Sequence, residues 1–316
     1  MDAAAFATKI RATLAPCSLG AWPTPLEPAP ALARALGLAA LWLKREDRAG
    51  GNKVRGLEFL LAAAPPRSVF VTLGGEGSSH CLATAVHAKA LGCRTALAQF
   101  PQPETDASRA VAAATAAAAN IVVRASSQIT LPWAVLLAWR AAHHLGRGTP
   151  RWIPGGGADP RAVIGHLLAT LELSAQLDAP PDAVVIPLGT GGTAAGVALG
   201  VAWLGWSTRV IAVRVAPRLV ANRWRTLRLG KKAAALLRNA GLEFRAPRSA
   251  VRVELADGLG QGYGYPTPEG ERARLLAAEH GVRLDPTYGA KAFGFFLRRG
   301  AWNLQRAVFW HTFAWP

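Results

Sequence analysis

The chain has 316 residues, 51% of them hydrophobic and 17% charged, and a formal net charge of +17. That hydrophobic share excludes intrinsic disorder, which requires low hydrophobicity and high charge, and the length suits one large domain or two modest ones. The basic excess admits nucleic acid, an anionic membrane or acidic ligands as partners. It is scattered, however, and its densest run (Arg223, Arg225, Arg228, Lys231, Lys232, Arg238 and Arg245 within 218–248) reads as a solvated helical face, so nucleic acid is not expected.

In chain order, a short apolar strand at 39–43 is followed by a helix at 54–64, a strand at 68–73 and a helix from 78 to about 91. A strand at 95–99, an alanine-rich helix at 108–119 and a strand at 121–124 come next, then a helix at 131–144, a strand at 151–153 and a helix at 161–177. A strand at 183–186 runs through a glycine loop into an apolar helix, with a strand at 210–215, helices at 219–239 and 269–280 and a late strand at 308–311. This alternation predicts an α/β protein with mainly parallel sheets, two rather than one, covered by helices. Ligands of such folds sit beyond the carboxyl ends of the strands.

The stretch 183–208 carries no charge, but Pro187 and its glycine run make it a buried strand, loop and helix rather than a membrane span. Three cysteines without a C-x-x-C pair, and seven histidines without ligand spacing, predict neither a disulfide framework nor a metal site and fit a reducing cytoplasm.

Two glycine-rich turns follow strands and lead into helices: Gly74-Gly75-Glu76-Gly77-Ser78-Ser79-His80 and Gly189-Thr190-Gly191-Gly192-Thr193. Glycine at a helix N-terminus lets an anion approach exposed N–H groups and the positive end of the dipole. Two such cups suggest a ligand with two anionic groups. A third segment, Gly50-Gly51-Asn52-Lys53-Val54-Arg55, puts a lysine at the head of an apolar helix, where desolvation would lower its pKa and make the amine nucleophilic.

Taken in order with Thr24-Pro25-Leu26, Lys44-Arg45-Glu46-Asp47, Pro154-Gly155-Gly156, Gly262-Tyr263-Gly264-Tyr265-Pro266, Asp285-Pro286-Thr287-Tyr288 and His311-Thr312, these motifs resemble the D-cysteine desulfhydrase / 1-aminocyclopropane-1-carboxylate deaminase family of fold-type II pyridoxal-phosphate enzymes. The resemblance implies two open twisted α/β domains of the tryptophan synthase β type. Residues 1–53 with 161–316 would form the larger and 54–160 the smaller, with pyridoxal 5'-phosphate in the cleft between them. It implies that Lys53 forms the Schiff base, that Asn52 fixes the lysine turn, and that Gly189, Thr190, Gly191, Gly192 and Thr193 hold the phosphate. Thr312 would face the pyridine nitrogen. Ser78, Ser79 and His80 would grip the substrate carboxylate, Ser79 also lying toward the cofactor and Ser78 sharing in proton transfer. Tyr263 and Tyr288 would act as acid–base groups. A homodimer is implied as well.

The implied reaction is β-elimination from a small amino acid, D-cysteine going to pyruvate, ammonia and sulfide, with Lys53 or Ser78 removing the α-proton. Serine, sulfoalanine and 1-aminocyclopropane-1-carboxylate are alternative substrates. A weakened homologue that keeps the cofactor for a binding role is the non-catalytic alternative. Gly289 stands where the deaminase pattern has Glu, which argues against ring opening. Gly56 replaces a common basic residue, Gly77 and Ser79 replace Gln and Asn of the usual loop, and Phe313 replaces Gly beside the cofactor ring.

Overall fold

Strand and helix alternate through the computed structural model, which describes residues 2–146, 148–244, 246–298 and 303–314. Arg245 of the basic run lies outside the described residues. The first helix, α1 (Ala3–Leu14), is capped by the Asp2 carboxylate, which accepts from the Ala5 N–H at 2.7 Å. Strand β1 (Leu26–Pro28), helix α2 (Pro30–Leu36) and strand β2 (Ala40–Arg45) precede α3 (Lys53–Leu60). There follow β3 (Val69–Gly75), α4 (Ser79–Ala90), β4 (Arg94–Phe100), α5 (Asp106–Ala118), β5 (Ile121–Arg124), α6 (Leu131–Leu145) and β6 (Arg151–Trp152). The rest of the chain forms α7 (Pro160–Ser174), β7 (Ala183–Leu188), α8 (Gly192–Leu204), β8 (Arg209–Arg214), α9 (Arg223–Asn239), β9 (Glu254–Asp257), α10 (Pro268–Glu279), α11 (Gly289–Phe293) and β10 (Arg306–His311).

The strands build two sheets. One has the order β1-β2-β10-β7-β8-β9, antiparallel only at β1–β2, and the other is β5-β4-β3-β6, parallel throughout. The strand latest in sequence therefore lies inside the larger sheet, between β2 and β7. Burial explains this: Ala307 to Trp310 are inaccessible, and such a strand belongs where both faces are covered.

Helix α8 is apolar on all sides because it is buried on all sides. Gly196 lets α7 approach it, since a Cβ there would stand 2.5 Å from the Val163 carbonyl oxygen. Among the described residues no helix is long and apolar enough to cross a membrane.

Several boundaries differ from the sequence expectation. Helix α3 stops at Leu60 rather than 64, because Ala63 is left-handed (φ 52°) and Pro65 follows. Helix α9 begins at Arg223 rather than 219, where the Asn222 side chain caps it by accepting from the Arg225 N–H at 2.9 Å. Helices α1, α2 and α11 and strands β1 and β9 were not expected.

A buried ionic network joins the larger sheet to the helices beneath it. The Arg55 guanidinium donates to Glu46 at 2.6 and 2.8 Å and to Glu172 at 3.0 Å, and Lys44 donates to Glu172 and to the Thr24 carbonyl. Glu46 and Lys44 are inaccessible and Arg55 is 2% exposed. Burial works against the Arg55 charge, but Glu46 and Glu172 hold it above the ordinary guanidinium value. The network sits at the ends of β2 and α3, two residues from Lys53.

Candidate active site

Register places the site. β2, β10 and β7 are parallel neighbours, with Lys44 opposite Trp310 and Val184 opposite Val308. Their carboxyl ends consequently open side by side into the Lys53 turn, Thr312 and the 189–193 loop.

The Lys53 turn leaves β2 through a short 3-10 turn and two glycines in left-handed conformation, Gly50 (φ 78°) and Gly51 (φ 99°). Asn52 then fixes it twice. Its backbone N–H donates to the Thr312 carbonyl at 2.8 Å, and its side-chain amide donates to the Thr193 hydroxyl at 2.8 Å. Lys53 opens α3 with its amine unpartnered among the described residues, and desolvation pulls it from 10.5 down to about 8.

On the facing loop, Gly191 has φ 93° and packs on α9, where a Cβ would stand 2.6 Å from the Thr226 hydroxyl oxygen. The first turn of α8 closes with the Ala195 N–H donating to the Gly191 carbonyl, so the N–H groups of Gly192, Thr193 and Ala194 precede the helical ladder and are available to an anion. One cavity, about 400 Å³ out to its mouth, is lined by Lys53, Asn52, Ser79, Tyr288 and Thr312 together with the 189–193 loop.

The serine–histidine segment divides its roles. Ser79 faces that cavity. Ser78 is buried and caps α4, accepting from the Cys81 N–H at 3.4 Å. His80 lies behind, its Nε2 2.9 Å from the Thr72 hydroxyl and its Nδ1 without a hydrogen bond among the described residues. Burial, then the nearby Lys53 charge, pushes its pKa down to about 3, so the ring is neutral. Of the three residues expected around a substrate carboxylate, the structure brings only Ser79 to the cavity wall.

The two tyrosines form a pair. Their hydroxyls are 2.6 Å apart and their rings are nearly perpendicular, but only Tyr288 lines the cavity. Burial lifts Tyr263 to about 12 and Tyr288 well above the ordinary phenol value, which keeps both protonated.

Two residues without an expected role hold this pair in place. The buried Asp285 carboxylate accepts from the N–H groups of Thr287, Tyr288 and Gly289 at 2.7–3.1 Å, and burial raises it to about 6 against the pull of those donors. Buried Lys291 donates to the Leu259 and Gly262 carbonyls at 2.8 and 2.9 Å, anchoring the segment that carries Tyr263. Lys291, a lone charge within the apolar run 289–297, carries a signal that could have found it, whereas Asp285, between Arg283 and Thr287, does not. Phe313 lies over the lysine turn, its ring edge 3.0 Å from where a Gly51 Cβ would be.

A desolvated lysine amine facing a glycine-lined helix N-terminus, between two parallel-sheet layers, suits a ligand with a phosphate at one end and an aldehyde at the other. That is the architecture of fold-type II pyridoxal-phosphate enzymes. The chain belongs to the family described as pyridoxal-phosphate dependent enzyme, which matches residues 17–312. It is 36% identical over 304 residues to the nocardicin C-9' epimerase of Nocardia uniformis subsp. tsuyamanensis, covering 92% of this chain and 90% of that protein. It is 30% identical over 279 residues to a Pyrococcus horikoshii protein provisionally named 1-aminocyclopropane-1-carboxylate deaminase, covering 86% and 82%. The crystal structure of an ACC deaminase homologue superposes with a TM-score of 0.80 at 28% identity over 96% of this chain and 94% of that one. The cofactor is pyridoxal 5'-phosphate.

Proposed function

We propose that the chain removes the α-proton of a small amino acid and expels its β-substituent, with D-cysteine and water giving pyruvate, ammonia and hydrogen sulfide. The observation that carries this reading is that the desolvated Lys53 amine lines one cavity with the 189–193 loop. Lys53 would hold the cofactor covalently, the loop N–H groups with the Thr190 and Thr193 hydroxyls its phosphate, and Thr312 its ring nitrogen. When bound, the cofactor supplies an acceptor for the electron pair left on Cα.

The remaining chemistry belongs to side chains. Once the substrate amine has taken its place on the cofactor, the freed Lys53 Nζ would take the α-proton, and a free-amine pKa near 8 leaves it neutral at neutral pH more often than an ordinary lysine. The protonated Tyr288 Oη, backed by Tyr263, delivers a proton to the departing sulfur. Ser79 supplies a hydroxyl for the substrate carboxylate, with Ser78 and His80 shaping the turn behind it. Thr312 is a hydroxyl rather than a carboxylate and does not enforce ring protonation, which favours prompt elimination. The parts 1–53 with 161–316 and 54–160, each with its own sheet, would close on the substrate in a cytoplasmic homodimer.

Epimerisation is a second reading, favoured by the 36% identity to a named epimerase. It shares the proton removal and differs in returning the proton to the opposite face. Ring opening of 1-aminocyclopropane-1-carboxylate is disfavoured by Gly289, where even a Cβ would stand 2.9 Å from an Asp285 carboxylate oxygen. The test is release of pyruvate and sulfide from D- and L-cysteine, with proton-for-deuterium exchange at Cα measured alongside. Elimination gives pyruvate and sulfide, with deuterium at Cα of recovered substrate only to the extent that the proton returns before sulfide leaves. Exchange with inversion and no pyruvate would replace it with epimerisation.

A further inference from the structure

A second chamber adjoins this cavity. Ser79, Tyr288 and Phe313 line both spaces, so a ligand anchored at Lys53 would reach the second by passing between these side chains. The space is about 510 Å³ when the solvent at its open side is counted with it. One wall is α5, through Ala107 and Val111, and the other is the 283–288 segment, through Leu284 and Pro286. Three-carbon amino acids such as cysteine would leave it empty.

The charges around this chamber differ in kind. The Asp285 carboxylate is spent on three backbone N–H donors. Ser108 is spent on the cap of α5, exchanging hydrogen bonds with Thr105. Asp106, next to the wall on α5, is exposed and paired with Arg109. Arg283 is exposed at the rim, and its guanidinium has no ion pair or hydrogen bond among the described residues. Among the described residues the chamber is thus a mainly apolar space with Arg283 as its one uncommitted cation.

We propose that the amino acid turned over here carries an extended β-substituent, with an apolar stem that fills the second chamber and a terminal carboxylate that pairs with Arg283. The proposal rests on the pyridoxal-phosphate elimination reading and extends its leaving group: a thiolate with a carboxylate tail is expelled in preference to bare sulfide. The electron and proton accounting is that of the elimination itself. The C–S bond breaks toward sulfur, the thiolate takes a proton, and water completes pyruvate and ammonia.

The test uses the holoenzyme and both enantiomers of three compounds: S-methylcysteine, S-(3-carboxypropyl)cysteine and S-(3-aminopropyl)cysteine. Pyruvate release gives kcat/KM. The carboxypropyl compound is expected to exceed the methyl compound by tenfold or more, and the aminopropyl compound to fall below it. Arg283→Glu, at an exposed position, is expected to invert the preference between carboxylate and ammonium tails. Val111→Trp, which fills the chamber, is expected to lower kcat/KM for the carboxypropyl compound more than for the methyl one. Pyruvate from S-methylcysteine at an equal or higher kcat/KM, with the tail preference unmoved by Arg283→Glu, overturns the proposal and leaves the elimination reading standing. No pyruvate from cysteine or any derivative overturns that reading and the proposal with it.

Discussion

The Asn52 side-chain amide donates to the Thr193 hydroxyl across 2.8 Å, with both residues buried, and this bond ties the lysine turn to the anion loop. Two segments 141 positions apart are thereby held in one frame, so the amine and the helix N-terminus line one cavity. Preorganisation of this kind lowers the cost of binding.

Asn52→Ala should accordingly weaken cofactor binding about tenfold, since a charge-neutral buried hydrogen bond is worth about 1 kcal/mol and an abandoned buried partner costs about 1–3 kcal/mol. Titration of the apo-protein with pyridoxal phosphate, followed by absorbance, measures it. An unchanged affinity would mean the bond has no part in holding the two segments.

The lowered pKa of Lys53 has a signed consequence. Only the neutral amine attacks an aldehyde, and its population rises with pH through the folded-state value near 8. The rate at which apo-protein captures pyridoxal phosphate should climb up to about pH 8 and level off above it. An unperturbed lysine would keep climbing to about pH 10. Stopped-flow absorbance across that range separates the two.

Tyr288→Phe removes the hydroxyl that faces the cavity and leaves Tyr263 without its partner. Turnover should fall about 100-fold, the lower end for loss of a general acid, while cofactor affinity stays within a factor of about two. Tyr263→Phe should cost less, because that hydroxyl acts through Tyr288. Kinetics on the pair, with a cofactor titration for each, checks the order.

Removing Arg55 from the buried ionic network leaves the Lys44–Glu172 pair but deprives Glu46 of its ion-pair partner. Arg55→Ala leaves Glu46 inaccessible and unpaired, and should lower unfolding stability by about 3–5 kcal/mol. Urea denaturation of wild type and variant gives the difference. A loss below about 1 kcal/mol would mean water replaces the guanidinium there.

The α/β alternation was legible because strands such as β7 are apolar on both faces and glycines punctuate the turns that follow them. The Lys53 turn and the 189–193 loop were legible for the same reason: glycine marks where the backbone needs left-handed conformation. Helices α1 and α2 escaped because alanine and proline give a weak pattern at the chain start, and β9 because Glu254 and Asp257 flank only two apolar residues. The ionic network could not be read, since Thr24, Glu46, Arg55 and Glu172 meet only after folding. Ser78, Ser79 and His80 look equivalent in sequence, but at a helix start each successive side chain turns by about 100°, which sends one to the cavity and two behind it.

The most direct test of the account is the visible spectrum of the purified protein with added pyridoxal phosphate, before and after borohydride, with Lys53→Ala alongside. A Schiff-base band in wild type, made permanent by reduction and absent from Lys53→Ala, is the predicted result. A band of equal strength in Lys53→Ala, or none in wild type at saturating cofactor, would contradict the assignment of Lys53 as the cofactor's anchor.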